Sequence, residues 1–131
     1  MATATVADGN VLTAKNYYQA MNEKDLDQVE RLLHPEVELV GPLISVSGKP
    51  GVLDAANRFQ AGVNGITVRS SFGGEDQVAL VYDADFGLPI GICRTAVLMS
   101  FKDFLIARIE LFFDPRPFEQ YFGKSDQGTE K

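Results

Sequence analysis

The feature that most constrains this chain is a period of two in the apolar side chains of its second half, residues 66–113. Leu80, Tyr82 and Ala84, for example, alternate with positions that include Asp83. Because successive side chains of a strand point to opposite faces of a sheet, this period predicts strands with one buried face. Gly- and Asp-rich turns divide the run. The pattern therefore predicts four antiparallel strands, over residues 66–72, 78–86, 91–101 and 105–113.

The residues before this run have a helical period instead. Their apolar side chains recur at spacings of three and four, which is typical of helices with one buried face. We expect Thr13 and Asp25 to cap the first two helices, since their side chains accept hydrogen bonds from free backbone N–H groups. Helices followed by strands indicate an α+β fold. The predicted helices cover residues 13–22, 25–33 and 52–62, a short strand covers 36–40, and residues 45–51 form a loop.

The composition fits one globular domain. The chain has 131 residues, of which 45% are hydrophobic, enough to bury a core without disulfides or metals. We expect a single domain over residues 1–131, with an ordered core at about 12–122. Lys and Arg number 12 and Asp and Glu number 18, so the net charge is −6. An acidic surface repels phosphate backbones and anionic lipids, so we expect neither nucleic acid nor membrane as a partner.

Cysteine and histidine each occur once, as Cys93 and His34. These counts exclude an internal disulfide and a zinc cluster, and we expect neither a metal nor a cofactor. The first ten residues lack the basic and apolar regions of a signal peptide, so we expect a cytoplasmic location. We expect His34 to donate to the last carbonyls of the second helix, and Cys93 to pack as a small buried hydrophobe.

Three short motifs carry a family resemblance. Residues 22–27 have the sequence N-E-K-D-L-D, residues 32–37 have L-L-H-P-E-V, and residues 112–118 have F-F-D-P-R-P-F. In this order and spacing they resemble the NTF2-like superfamily, and within it the SnoaL-like proteins. The resemblance covers roughly residues 12–118. It implies an α+β NTF2-like cone, in which a curved antiparallel sheet wraps around an N-terminal helical hairpin and a third helix, and a homodimer that pairs through the outer sheet face.

The inward face of such a cone lines a cavity. Its predicted lining is apolar and aromatic with a few hydroxyls, which favours a small apolar or aromatic molecule held by one or two hydrogen bonds. In the alternative interpretation, the same side chains only fill the core. The predicted ligand-binding residues are Tyr17, Met21, Phe59, Tyr82, Phe86, Thr95, Val97, Met99, Leu111 and Phe113.

The catalytic sets of related enzymes are not matched. Alignment with ketosteroid isomerase on the first motif implies that the tyrosine of that enzyme corresponds to Tyr17. The catalytic base of the enzyme then corresponds to Gly41 and its aspartic acid to a position at or near Val97, so neither acidic group is present here. An epoxide hydrolase needs an inward Asp-Arg-Asp set, and no acid stands two positions after Arg94. The remaining candidates for a catalytic role are Tyr17, Tyr82 and Asp114.

Three functions stay open. In the first, the chain binds a small apolar molecule. In the second, it is an isomerase or polyketide-cyclase-type enzyme that uses Tyr17 or Tyr82 with a pocket acid. In the third, it is a non-catalytic dimerisation module with a filled core. The acid requires a one-residue shift of register that turns Asp83, Asp85 or Glu110 inward. Without that shift, these acids face outward and form cross-strand ion pairs. Asp114 then caps the turn that follows it.

Overall fold

Within residues 5–127, which the computed structural model describes, the chain forms four helices and six strands. Side chains are described as far as residue 121. In chain order the elements are α1 (Val6–Asn22), α2 (Leu26–Leu32), β1 (Leu33–Gly41), β2 (Ile44–Ser47), α3 (Lys49–Gly62), β3 (Gly65–Gly73), β4 (Gln77–Asp85), β5 (Ile92–Lys102), β6 (Leu105–Phe112) and α4 (Arg116–Gln127).

All six strands belong to one curved sheet with the order β2-β1-β6-β5-β4-β3. The α+β class, the helical hairpin and the antiparallel meander from β3 to β6 are confirmed. The expectation of a wholly antiparallel sheet is wrong at one place, because β1 pairs parallel with β6. The first and last strands thus meet in the middle of the sheet, and two antiparallel edges, β2 and β3, remain.

The bend between α1 and α2 ties the helices to the sheet. The Asn22 side chain accepts a hydrogen bond from the Ile66 N–H at 2.7 Å and donates one to the Ile66 carbonyl at 2.8 Å. Asn22 therefore pairs with edge strand β3 as a neighbouring strand would. Lys24 has a φ of 57°, and its ammonium group donates to the carbonyls of Gln60 and Val63 at the end of α3. The motif at residues 22–27 is thus a junction of three elements.

The start of α1 differs from the sequence-based expectation. Asp25 caps α2 as predicted, since its carboxylate accepts the Gln28 N–H at 3.1 Å. Thr13 is the wrong cap for α1, because Thr5 and Asp8 form a capping box and the N-cap Thr5 lies eight residues earlier. The Thr5 hydroxyl accepts the Asp8 N–H at 3.0 Å, and the Asp8 carboxylate accepts the Thr5 N–H at 3.3 Å. Helix α1 therefore begins at Val6, seven residues before the predicted start.

Two other elements depart from the prediction. The expected loop at 45–51 contains most of β2 and the start of α3, because a four-residue strand is too short for its alternation to stand out. Gly48, with a φ of 90°, turns the chain into α3, where Pro50 occupies the first turn without loss of a hydrogen bond. Helix α4 extends past the expected end of the core at residue 122, and residues 128–131 lie outside the described residues.

The two faces of the sheet differ as the period of two predicts. Leu80, Val97 and Met99 are almost completely buried on the face that packs against the helices. The Asp83 carboxylate lies on the opposite face, where it accepts hydrogen bonds from Arg94 at 2.8 and 3.1 Å. The register therefore keeps the strand acids outward, and the shift that would bring one inward does not occur.

The Asn22 contact makes a testable contribution to stability. Asn22→Ala removes both hydrogen bonds and leaves the Ile66 backbone groups without these partners, so we expect a loss of about 1–3 kcal/mol in the free energy of unfolding. Urea denaturation measures the loss. Asn16→Ala is the matched control, because Asn16 is an exposed asparagine on the same helix. Equal midpoints for the two variants would contradict this role of Asn22.

Candidate functional site

A cavity of about 640 Å³ lies between the helices and the inward face of the sheet. Helices α1, α3 and α4, strands β1, β4, β5 and β6, and the loop after β4 all contribute to its wall. The large hydrophobic lining residues that are exposed are Leu88 at 94%, Tyr121 at 50% and Leu43 at 48%, and they mark the mouth. The interior is therefore open to solvent at the end of the sheet where α4 and the 87–91 loop lie.

An aromatic cluster forms the wall near α4. Phe118 of α4 lies edge-on to Phe86, with ring centroids 5.0 Å apart, and to Phe113 at 5.5 Å. Phe86 in turn contacts Phe59 of α3 at 5.8 Å. Such edge-to-face pairs add to the free energy of simple burial. Four rings, from α3, from α4 and from the residues that directly follow β4 and β6, thus line the apolar side of the cavity, and Phe118 is the residue through which α4 joins it.

Hydroxyl groups form the polar part of the wall. Tyr18 and Tyr82 stack at an angle with ring centroids 4.5 Å apart, and Tyr17 lies edge-on to Tyr18 at 5.0 Å. Tyr82 also faces Thr95 across the β4–β5 pair, and the Thr95 hydroxyl lies 3.6 Å from the Cys93 sulfur. The cavity is therefore apolar with one chain of hydroxyl and thiol groups.

Burial keeps these groups in their neutral forms. It raises the pKa of Tyr82 to about 12, although hydrogen bonds with Tyr18 and Thr95 oppose the change. Burial likewise raises the pKa of Tyr17 and Tyr18 well above the ordinary value, and the neighbouring phenols add to the effect. The pKa of the Cys93 thiol is raised for the same reason. At neutral pH the site thus contains phenols and a thiol that donate hydrogen bonds, rather than a thiolate nucleophile.

Most of the residues predicted to bind a ligand lie together. Val97 and Met99 are the exceptions, because β5 carries them past the cavity into the packed core, where Met99 pairs with Val78 and Ile109. We therefore remove these two from the set. Those that line the cavity are Tyr17, Met21, Phe59, Tyr82, Phe86, Thr95, Leu111 and Phe113.

The third catalytic candidate, Asp114, lies outside the lining. Its carboxylate accepts hydrogen bonds from the Arg116 guanidinium at 2.8–3.1 Å and from the Arg116 N–H at 3.0 Å. These bonds lower the pKa of Asp114 to about 2, so it is ionised and paired. The predicted turn-capping role is confirmed, and a role as a general acid is not compatible with this pairing.

The outer-face acids and the histidine have structural partners. The hydrogen bond from Arg94 lowers the pKa of Asp83, and Arg108 pairs with Glu38 at 2.6 Å and with Glu110 at 3.5 Å. His34 does not donate to helix α2 as expected. It lies in β1, where its Nδ1 accepts the N–H of Glu36 at 3.0 Å, because α2 ends before it.

Several lining residues were beyond sequence reasoning. Tyr18 follows Tyr17 directly, and a helical period places only one of two adjacent residues on the centre of a face. Phe118 belongs to a helix that the two neighbouring prolines concealed. The lining also includes Leu39, Ile44, Ala55, Ala56, Arg58, Gly62, Ala84, Pro89, Ile90 and Ile109.

Ionisable groups are scarce in this wall. Among its residues, the described part of the chain supplies one cation, Arg58, and that guanidinium pairs with Asp54 at 3.0 Å on the exposed side of α3. Among the side chains that the structure describes, residues 5–121, no Asp, Glu, His or Lys lines the cavity. In that same range, no three His, Cys, Asp or Glu side chains come together as a metal site. None of the helices described there is both long and apolar enough for a transmembrane span.

Comparison with known proteins agrees with this geometry. A family model of the SnoaL-like domain matches residues 14–109. A protein from Kribbella flavida DSM 17836 is 25% identical, with a TM-score of 0.82 over 95% of this chain and 99% of its own. An NTF2-like protein of unknown function from Cytophaga hutchinsonii ATCC 33406 is 18% identical, with a TM-score of 0.74 over 89% and 96%.

A third similar structure is a Kribbella flavida protein provisionally named a ketosteroid isomerase, 18% identical, with a TM-score of 0.73 over 84% of this chain and 81% of its own. Identities below 25% show a shared fold alone. No curated protein has a sequence that matches the chain.

Because burial raises the pKa of Tyr82, we expect the free energy of unfolding to decrease at alkaline pH. Between pH 10 and about 12 the unfolded chain loses the Tyr82 proton while the folded chain keeps it. The folded state then binds more protons, so the free energy of unfolding decreases with pH, by up to about 1.4 kcal/mol per pH unit for this group. Tyr82→Phe should flatten the decline measured by urea denaturation at pH 10–12. An unchanged slope would refute the assignment. As a control, the difference in the free energy of unfolding between the wild-type chain and Tyr82→Phe should stay constant between pH 6 and 9.

Proposed function

Because the chain belongs to the SnoaL-like domain family, whose model matches residues 14–109, we propose that it binds one small, predominantly apolar molecule in its cavity. The observation that carries the proposal is the cavity of about 640 Å³ with an apolar and aromatic wall. This volume lies within the range of about 300–1,000 Å³ that is usual for small-molecule sites. A cavity of this size also argues against a dimerisation module with a filled core.

Burial of apolar ligand surface supplies the free energy of binding. Each Å² removed from water contributes roughly 25 cal/mol, so a fused two-ring molecule gains several kcal/mol before the entropic cost of association. Phe59, Phe86, Phe113 and Phe118 offer edges and faces for ring contacts. An aromatic molecule with about ten to eighteen heavy atoms therefore matches both the volume and the wall.

The enzyme alternative lacks the acid that it needs. An isomerase or cyclase requires a base or acid within hydrogen-bond reach of the reacting proton. The described wall contains phenols, a thiol and Arg58, but no carboxylate or imidazole. Tyr17 and Tyr82 remain protonated at neutral pH because burial raises their pKa, so neither is a general base there. Binding without turnover is therefore the function that this site supports best.

The uncharged fluorescent probe N-phenyl-1-naphthylamine tests the binding proposal. We expect saturable binding to one site per chain, with a rise in thermal stability. Ala84→Leu should weaken binding about tenfold or more, because Ala84 is a buried residue of the cavity wall and the larger side chain occupies ligand space. Ala79→Leu is the matched control, since Ala79 lies on the same strand but on the outer face. Equal affinities for the two variants, or no saturable binding, would reject the proposal.

We also propose that the outer sheet face pairs two copies of the chain. Val81, Ala96 and Phe112 are register partners on adjacent strands and form an apolar row across that face. Phe112 is 56% exposed. Ion pairs flank the row on both sides, Asp83 with Arg94 and Glu38 with Arg108. A surface that holds both signs of charge around an apolar centre complements itself in a two-fold dimer.

Sedimentation velocity tests the dimer. The wild-type chain should sediment at twice the monomer mass, and Phe112→Glu should shift it to monomer, because a carboxylate would be buried in the apolar row. Phe104→Glu is the control, since Phe104 is an even more exposed phenylalanine, at 71%, in the turn between β5 and β6. A monomeric wild-type chain, or loss of the dimer in both variants, would contradict this interface.

A further inference from the structure

We propose that the cavity selects uncharged molecules that carry one hydrogen-bond-accepting oxygen, and that the Tyr82 hydroxyl donates to that oxygen. This inference deepens the proposed function, because it depends on the same cavity. It assigns the polar contact to strand β4 rather than to Tyr17, the position that the ketosteroid isomerase alignment implies. A ketone or ester on an apolar ring system is the simplest such molecule.

The geometry singles out Tyr82 among the phenols. Its ring lies 4.5 Å from the Tyr18 ring, and hydrogen bonds with Tyr18 and Thr95 lower its pKa, so it has partners on two sides. Thr95 is its direct partner in the β4–β5 register, which fixes their separation through the backbone. Tyr17 lines the same cavity. Its described interactions are an edge-on ring contact with Tyr18 and an electrostatic effect of Tyr82 on its pKa, and no hydrogen bond is among them. Tyr82 is therefore the preorganised donor, and its position costs little entropy on binding.

Counting protons along the hydroxyl chain leaves one for the ligand. Hydrogen bonds with Tyr18 and Thr95 lower the pKa of Tyr82, as bonds donated to its oxygen would, and in the proposed arrangement both groups donate to it. The Thr95 oxygen can then accept from the Cys93 thiol, 3.6 Å away. In this arrangement the Tyr82 proton is the one that remains for a ligand. Two donors on its oxygen also polarise the O–H bond and strengthen its donation into the cavity.

The charge of the wall excludes ionised ligands. Arg58, the cation among the described lining residues, is on the exposed side of α3 with its guanidinium 3.0 Å from Asp54. A carboxylate placed beside Tyr82 would leave water without a countercharge, which is costly. An ammonium group would meet no carboxylate among the described lining residues. A neutral oxygen loses little hydration and gains the Tyr82 hydrogen bond.

Three naphthalenes of nearly the same shape test the inference by competition with N-phenyl-1-naphthylamine. They are 2-acetylnaphthalene, 2-isopropenylnaphthalene and 2-naphthoate, which carry a ketone, an isosteric alkene and a carboxylate. We expect Tyr82→Phe to weaken binding of the ketone about tenfold and to change the alkene affinity by less than about twofold. Tyr17→Phe should leave the ketone-to-alkene ratio as in wild type. The wild-type chain should bind the carboxylate at least about tenfold more weakly than the ketone.

The alkene distinguishes a failure of the Tyr82 inference from a failure of the proposed function. If the alkene binds and Tyr82→Phe leaves the ketone-to-alkene ratio unchanged, the cavity binds ligands but Tyr82 is not the donor, and the inference fails alone. If Tyr17→Phe abolishes the difference instead, the donor is Tyr17 and the inference is wrong. If none of the naphthalenes nor the fluorescent probe binds, the proposed function itself fails. The alkene affinity and the melting temperature of Tyr82→Phe report whether that variant keeps the cavity intact.

Discussion

The register between β4 and β5 is the constraint on which the rest of the structure depends. It pairs Tyr82 with Thr95 and, one position further, Asp83 with Arg94. The first pair faces the cavity and the second faces outward, so one alignment of two strands sets both surfaces of the sheet. A slip of β4 by one residue would bury Asp83 without Arg94 and turn Tyr82 outward. The free energy of both faces therefore favours the same register, which makes it well determined.

The cavity persists because the helices are held at the sheet by their ends. Asn22 fixes the end of α1 to β3, and Lys24 joins the bend to the end of α3. Along the body of α1, the Tyr18 ring contacts Tyr82 of the sheet and the Tyr17 ring lies edge-on to Tyr18, so large rings rather than the helix backbone face the sheet. Large rings at the closed side and polar anchors at the bend thus keep the layers apart. The open side is covered in part by Phe118.

The sequence predicted what local patterns determine. The period of two identified β3 to β6 and the inward set from Tyr82 to Phe113, because burial on one face leaves a clear alternation. Thr13 was wrong as a cap because a residue that is favourable at several positions does not identify the one that is used. The parallel pairing of β1 with β6, the short β2 and the position of Phe118 arise from long-range packing. No pattern within a few residues encodes them, so they required the three-dimensional structure.

The difference between holding a molecule and transforming it comes from which side of the sheet carries the charges. The outward strand acids Asp83 and Glu110 are neutralised by arginines, and Asp114 is held by Arg116 at the rim. The inward groups are phenols and a thiol whose pKa burial raises, so they donate hydrogen bonds without exchanging protons at neutral pH. Proton transfer would need one inward carboxylate, and a single substitution at a lining position such as Leu111 or Thr95 would introduce it. Under the proposed function, one inward side chain would therefore separate binding from catalysis, which explains how one scaffold accommodates both kinds of protein.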